Sequence, residues 1–141
     1  MSIVFELTDQ ALAVDIERIG EELDSFNERE LGTSGRRPLA VFARNEGGEI
    51  VAGLSGSTAW GWLFVQWLFV SEAARGQGLA ASLLRQAEVE AVARSCHGAW
   101  IDTFNPAALR VYQRAGYVPF GALDDFPVGR RRTFLQKRLT F

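Results

Sequence analysis

Two short segments hold the residue types that could do chemistry. The first is Arg75-Gly76-Gln77-Gly78-Leu79-Ala80-Ala81. Glycines at 76 and 78 let backbone N–H groups converge on a ligand with no Cβ in the way. A helix starting here would aim its unpaired N–H groups and positive dipole end at the same point. A phosphate suits such a cradle, and Arg75 can add a charge-assisted contact from the side. The second segment runs from Asp102 through Asn105 to Tyr112. Asn105 can cap a helix, and Tyr112 would lie about two turns along nearly the same face.

Each segment also has a plain structural explanation. A strand-to-helix turn can need glycine only for its shape, Asn105 before Pro106 is commonly just a cap, and a tyrosine at helical spacing is commonly core. Gly76, Gly78 and Ala81 also satisfy the dinucleotide fingerprint G-x-G-x-x-A, with Asp102 near the end of the next strand, where a ribose ligand would sit. Position argues against that fingerprint. A dinucleotide fold places its glycine turn directly after the first strand and needs further strand–helix units. Here the turn comes halfway along a short chain, after strands that read as antiparallel.

The elements that must position these residues follow from periodicity. Ile3 to Leu7 reads as a first strand, and Thr8 and Asp9 offer N-cap oxygens. Leu12, Ile16, Ile19, Leu23 and Phe26 recur at spacings of four, three, four and three, one face of a helical region with Gly20 as its weak point. Gly32 to Pro38 reads as a loop. Leu39 to Ala43 and Ile50 to Ser55 flank the turn Asn45-Glu46-Gly47-Gly48, which predicts an antiparallel hairpin. The continuous apolar run Trp60 to Val70 predicts a central strand buried on both faces. Ala80, Leu83, Leu84, Ala87 and Ala91 have the spacing of an amphipathic helix. Ala99 to Phe104 is the next strand. Asn105-Pro106 opens a helix that Gly116 ends, and Tyr117–Phe120 and Arg132–Leu139 supply two last strands. The pattern predicts one α/β domain over residues 1–141, with a mixed, mainly antiparallel sheet of six to seven strands flanked by helices.

Composition narrows the partners. The chain has 141 residues, 48% hydrophobic and 23% charged, which is enough for a core without disulfides. Its net charge of -2 recommends neither nucleic acid nor an anionic membrane. The longest apolar run, Trp60 to Val70, falls well short of the about 20 residues a membrane helix needs. The start of the sequence lacks a basic region and an apolar stretch of signal-peptide length. One cysteine, Cys96, allows neither a disulfide nor a cysteine zinc site within one chain, which suits a cytoplasmic location. A homodimer is compatible with the sequence.

Together, Val70 to Leu84 and Asn105-Pro106-Ala107-Ala108-Leu109-Arg110-Val111-Tyr112-Gln113-Arg114-Ala115-Gly116-Tyr117 resemble the GCN5-related N-acetyltransferase (GNAT) superfamily. Its glycine motif is met by Arg75, Gly78 and Ala80, and its later signature by Asn105, Ala108, Tyr112, Gly116 and Tyr117. The element order matches over nearly the whole chain, and the tail is similar to a less-characterised bacterial branch. The resemblance implies transfer of an acetyl group from acetyl-CoA to a small-molecule or peptide amine. It implies a gap between the splayed fourth and fifth strands, counted with Ile3–Leu7 as the first. Leu68, Phe69 and Val70 would pair there with the pantetheine arm. Gly76, Gln77, Gly78, Leu79, Ala80 and Ala81 would hold the pyrophosphate beside Arg75. Asn105 would touch the pantetheine or fix its strand, and Tyr112 would stand near the thioester sulfur.

Such a reaction must deprotonate an ammonium, polarise a carbonyl and protonate a thiolate. Tyr112 is the candidate acid, and a backbone N–H near Phe69 or Val70 could polarise the carbonyl. Relatives often carry a carboxylate base on the fourth or fifth strand, but Gln66 and Trp100 occupy such positions here. Asp102 shares the strand face of Trp100 by alternation and is the remaining candidate base, beside a water chain to solvent. Asp at a strand end also commonly pairs with an arginine. His97 reads as a surface or capping group, Cys96 as a packed small side chain, and Trp60, Trp62 and Trp67 as core, although one of the three could wall an acceptor pocket. The acidic residues Glu21, Glu22, Asp24, Glu28 and Glu30 read as a solvated helix face that could favour a cationic amine. Arg130, Arg131 and Arg132 could pair with Asp124 and Asp125 or sit near the cofactor's 3′-phosphate.

Overall fold

The computed structural model describes residues 1–140. It contains two compact units, Met1–Ser34 and the remainder from Gly35. The first unit is built around α1 (Ala13–Leu31). Gly20 does not interrupt it, because one glycine costs a helix interior only about 1 kcal/mol. The helix starts after Leu12 with no side-chain cap, so neither Thr8 nor Asp9 serves as its N-cap. Ile3 to Leu7 is not a strand either.

The larger unit is a six-stranded sheet: β1 (Arg37–Arg44), β2 (Ile50–Ala59), β3 (Trp62–Val70), β4 (Gly98–Thr103), β5 (Val118–Asp124) and β6 (Arg131–Arg138). The strand order is β1-β2-β3-β4-β6-β5, and every pair is antiparallel except β3–β4. Between β3 and β4 runs α2 (Leu79–Ala93), and between β4 and β5 runs α3 (Pro106–Arg114). The predicted run from Trp60 divides at its start. Trp60 and Gly61, both at positive φ, form the two-residue turn that joins β2 to β3.

Register assigns every strand residue to a face. On one face Val41, Leu54 and Leu68 lie side by side, as do Ala43, Ala52 and Val70, and Ile101 beside Leu135. These pack with Leu83, Leu84, Ala87 and Ala91 of α2 and with Tyr112 and Tyr117 in a single core. The other face carries the row Phe42, Gly53, Phe69 and the row Ala40, Ser55, Trp67. Phe42, Trp67 and Phe69 are exposed, so the expectation of a central strand buried on both faces fails. Trp60 and Trp67 are not core residues; an apolar run alone does not show which of its faces is covered.

One irregularity shapes the sheet. Ser55 pairs with Trp67 but Gly56 pairs with Val65, which leaves Gln66 as the extra residue of a β-bulge. A bulge bends its strand and raises the local twist. The pairing of β3 with β4 covers only Trp62–Phe64 against Gly98–Trp100, so the strands separate just before the bulge. Gly56 is required there: a Cβ on it would overlap the Phe64 carbonyl oxygen. Gly56→Ala should therefore lower stability by about 1–3 kcal/mol, measured as a shifted denaturant midpoint. An unchanged midpoint would show that the bulge relaxes without cost.

Candidate active site

The separation of β3 from β4 leaves the β4-facing edge of Leu68, Phe69 and Val70 without a strand partner, while their other edge stays bonded to β2. Leu68 and Val70 pack on the core, and Phe69 points to the open face. A short 3-10 turn, Glu72–Ala74, carries the chain from the end of β3, anchored by buried Ala74. Arg75, Gly76, Gln77 and Gly78 follow, all exposed.

Two glycines make this turn possible. Gly76 has φ 83° and Gly78 has φ 71°, a region that costs other residues about 1–2 kcal/mol. Nothing lies within 4 Å of where a Cβ would stand on either, so backbone shape and not crowding requires glycine. Gly78 is the N-cap of α2, and no side chain caps that helix. The first N–H groups of Leu79, Ala80 and Ala81 therefore keep their donor capacity and the positive end of a 15-residue helix. Open, flanked by Arg75 and rich in N–H donors, this turn fits a pyrophosphate.

Across the cleft, Asn105 caps α3, its Oδ1 accepting from Ala107 N (2.8 Å) and Ala108 N (3.2 Å). That occupies the oxygen and leaves the amide NH2 as its donor. Tyr112 is buried among the core residues on the helix-covered face. Burial raises its phenol to about 12, with the Asp102 carboxylate adding to the shift. Asp102 belongs to the opposite face, in register with Phe134. Arg132 binds it through Nε (2.8 Å) and Nη2 (2.7 Å), both to Oδ1. The structure thus brings Tyr112 and Asp102 within electrostatic reach of each other from opposite sides of the sheet, and Asp102 comes already paired.

Several groups were not evident from the sequence. Phe64 stacks on Trp100 with ring centroids 4.1 Å apart, on the open face where the strands part. The Arg132 guanidinium lies 4.8 Å from the Phe126 ring centroid and 5.7 Å from that of Phe134. Arg131 pairs with Asp124, as its charge suggested, but Asp125 accepts from Gly129 N and Arg130 donates to Phe104 O. Glu88, almost wholly buried, accepts from Tyr117 Oη (2.9 Å) and Lys137 Nζ (2.8 Å). Tyr117 belongs to the later signature, but no sequence motif marks Glu88 or Lys137, which come from separate elements. His97 packs edge-on against Trp62. Cys96 is buried, and burial pushes its thiol up, so it is a poor nucleophile. Among the described residues, no group of three or more His, Cys, Asp or Glu could hold a metal ion, and no helix is long and apolar enough to cross a membrane.

A family model described as the acetyltransferase (GNAT) family matches residues 6–117. The chain belongs to that family. It is 46% identical over 134 residues to an acetyltransferase of Agrobacterium fabrum, covering 95% of this chain and 98% of the relative. It is 38% identical over 107 residues to blasticidin-S acetyltransferase of Streptomyces morookaense, covering 73% and 79%. The crystal structure of a candidate acetyltransferase from Agrobacterium tumefaciens superposes with a TM-score of 0.91 at 46% identity, covering 96% of this chain and 99% of that one. The protein is an acetyl-CoA-dependent acetyltransferase of GNAT fold.

Tyr112 and Tyr117 are the chain's two tyrosines, and burial raises both phenols. Ultraviolet titration should show almost no tyrosinate at pH 10, where a free tyrosine is about half ionised. The linkage sign follows: the folded state holds these protons more tightly, so stability is full below pH ~10 and falls as pH rises toward 12. A melting temperature unchanged between pH 9 and 11.5 would contradict this.

Proposed function

We propose that the protein transfers acetyl from acetyl-CoA to a small-molecule primary amine by direct attack in a ternary complex, the whole chain serving as one catalytic domain. The observation that carries this reading is the gap between β3 and β4 after Phe64 and Trp100, which leads to the uncapped glycine turn at the start of α2. Leu68, Phe69 and Val70 pair with the pantetheine arm along their unpaired edge. Main-chain N–H groups of Gly76 to Ala81 hold the pyrophosphate, with Arg75 alongside. The bound thioester supplies the activated acetyl group. The acceptor amine approaches from the open face, past Phe64, Trp100 and Asp102, while the Tyr112 hydroxyl faces the sulfur from the helix side and donates to the departing thiolate. The 38% identical relative named for blasticidin S supports a small molecule as acceptor.

Asp102 would have to surrender its contacts to Arg132 to take a proton, so we assign deprotonation of the ammonium to solvent water, with Asp102 as the rival base. The one buried thiol suits a reducing cytoplasm, where we place the protein.

Acetyl-CoA at about a hundred times its dissociation constant should stabilise the fold by about 2.7 kcal/mol, whereas NAD should not; absence of an acetyl-CoA shift would end this reading. Tyr112→Phe should lower kcat on the order of a hundredfold with little change in acetyl-CoA affinity; an undiminished kcat removes Tyr112 from the reaction. Asp102→Asn should leave the acid limb of the rate profile in place. Loss of that limb would make Asp102 the base.

A further inference from the structure

On the acetyl-transfer reading proposed above, we infer that the acceptor is an α-amino acid with a large apolar side chain, its ammonium meeting Asp102 and its carboxylate Arg132. Strands β3 and β4 pair only as far as Phe64 and Trp100. Asp102 is therefore the first residue on the face of Trp100 beyond the parting of the strands, at the gap given to the pantetheine arm.

The bonds already made show what this pair still offers. Arg132 spends Nε and one N–H of Nη2 on a single oxygen, Asp102 Oδ1. Among the described residues no group bonds Asp102 Oδ2 or Arg132 Nη1, and neither atom is sealed from solvent. An ammonium can donate to Oδ2 without breaking either contact to Arg132. A carboxylate can accept from Nη1 and the second N–H of Nη2, a fork that matches its two oxygens. The guanidinium is held for that task, 4.8 Å from the Phe126 ring centroid and 5.7 Å from that of Phe134.

Charge asks for both groups at once. The Asp102–Arg132 pair is neutral as it stands, so a simple ammonium is drawn to one member and repelled by the other. A zwitterion meets an opposite charge at each end. Rings supply the rest of the seat. Trp100, stacked on Phe64, stands two residues before Asp102, and Phe134 lies in register with Asp102. With Phe126 they wall the acceptor's side chain. Transfer then joins the α-nitrogen to the acetyl carbonyl carbon and breaks the C–S bond, giving an N-acetyl amino acid, coenzyme A and one proton to water.

Matched acceptors test this through the rate of coenzyme A release. Phenylalanine, its methyl ester and phenethylamine share a ring and a primary amine, and only the first carries a carboxylate. Tryptophan with tryptamine repeats the comparison on a larger ring. The wild type should favour the carboxylate-bearing members in kcat/KM on the order of tenfold or more, the worth of one charge-assisted contact. Arg132→Gln should raise KM for phenylalanine and improve kcat/KM for phenethylamine, because it removes a partner from one and a repulsion from the other. A residue with only a structural role would weaken both alike, and that result overturns the inference. So does a wild type that uses the ester or the decarboxylated amines equally well. If Arg132→Gln fails to fold, the wild-type ratios decide. No turnover of either amino acid, in a protein whose melting temperature acetyl-CoA still raises, overturns the acceptor assignment alone. Loss of that shift would strike the acetyl-transfer reading itself, and the acceptor with it.

Discussion

Everything at the candidate site depends on one break in hydrogen bonding. The strand β3 must stay bonded to β2 along its length and yet leave β4 after Phe64. A regular strand cannot do both, because strand spacing and twist propagate from neighbour to neighbour. The extra residue Gln66, opposite the Ser55–Gly56 step, resolves the conflict by bending β3 at that point. Only glycine leaves room for the Phe64 carbonyl there. The unpaired edge, the turn that begins where β3 ends and the aim of α2 all inherit their positions from that bend.

A cradle of backbone N–H groups is useful only if its helix cannot rock. Glu88 on α2 holds the phenol of Tyr117 and the ammonium of Lys137, and Lys137 also donates to Ala115 O at 2.8 Å. One buried carboxylate therefore ties α2 to the end of α3 and to β6. Burying a lone charge is costly, so each partner depends on the others, and removing one leaves an uncompensated ion worth about 3–5 kcal/mol. The same network locks the chain segment just after Tyr112, and so fixes the phenol relative to the glycine turn.

Local signals were legible in the sequence and long-range ones were not. The stripe Leu83, Leu84, Ala87 and Ala91, the cap Asn105 and the terminator Gly116 each act within a few residues, and each stands where periodicity and capping chemistry placed it. The strand expected at Ile3–Leu7 failed because alternation and apolarity make a segment fit for a strand but do not supply the bonded neighbour that makes it one. Trp67 failed for a related reason: an aromatic in an apolar run reads as core until register shows which face it takes. The partner of Asp102 lies 30 positions away on β6, beyond any local rule. An arginine at a strand start is ordinary, and only the antiparallel register of β4 with β6 makes this one a partner.

The role given to Tyr112 rests on energies that pull in different directions. A phenol held at about 12 facing a thiol of about 8.5 makes full proton transfer uphill by about 5 kcal/mol. Turnover at ~10 per second corresponds to a barrier of about 16 kcal/mol, so that cost does not forbid the step. The burial that raises the phenol also strengthens its hydrogen bond to a charge that develops beside it, since little water competes. In the proposed reaction, stabilisation of the thiolate would come first and the proton would follow as the product leaves. Asp102 fits the same logic, because its charge discourages the phenol from ionising. In the proposed reaction the phenol would act from one side of the sheet, with the Asp102–Arg132 pair on the other, toward the open face by which the amine would arrive.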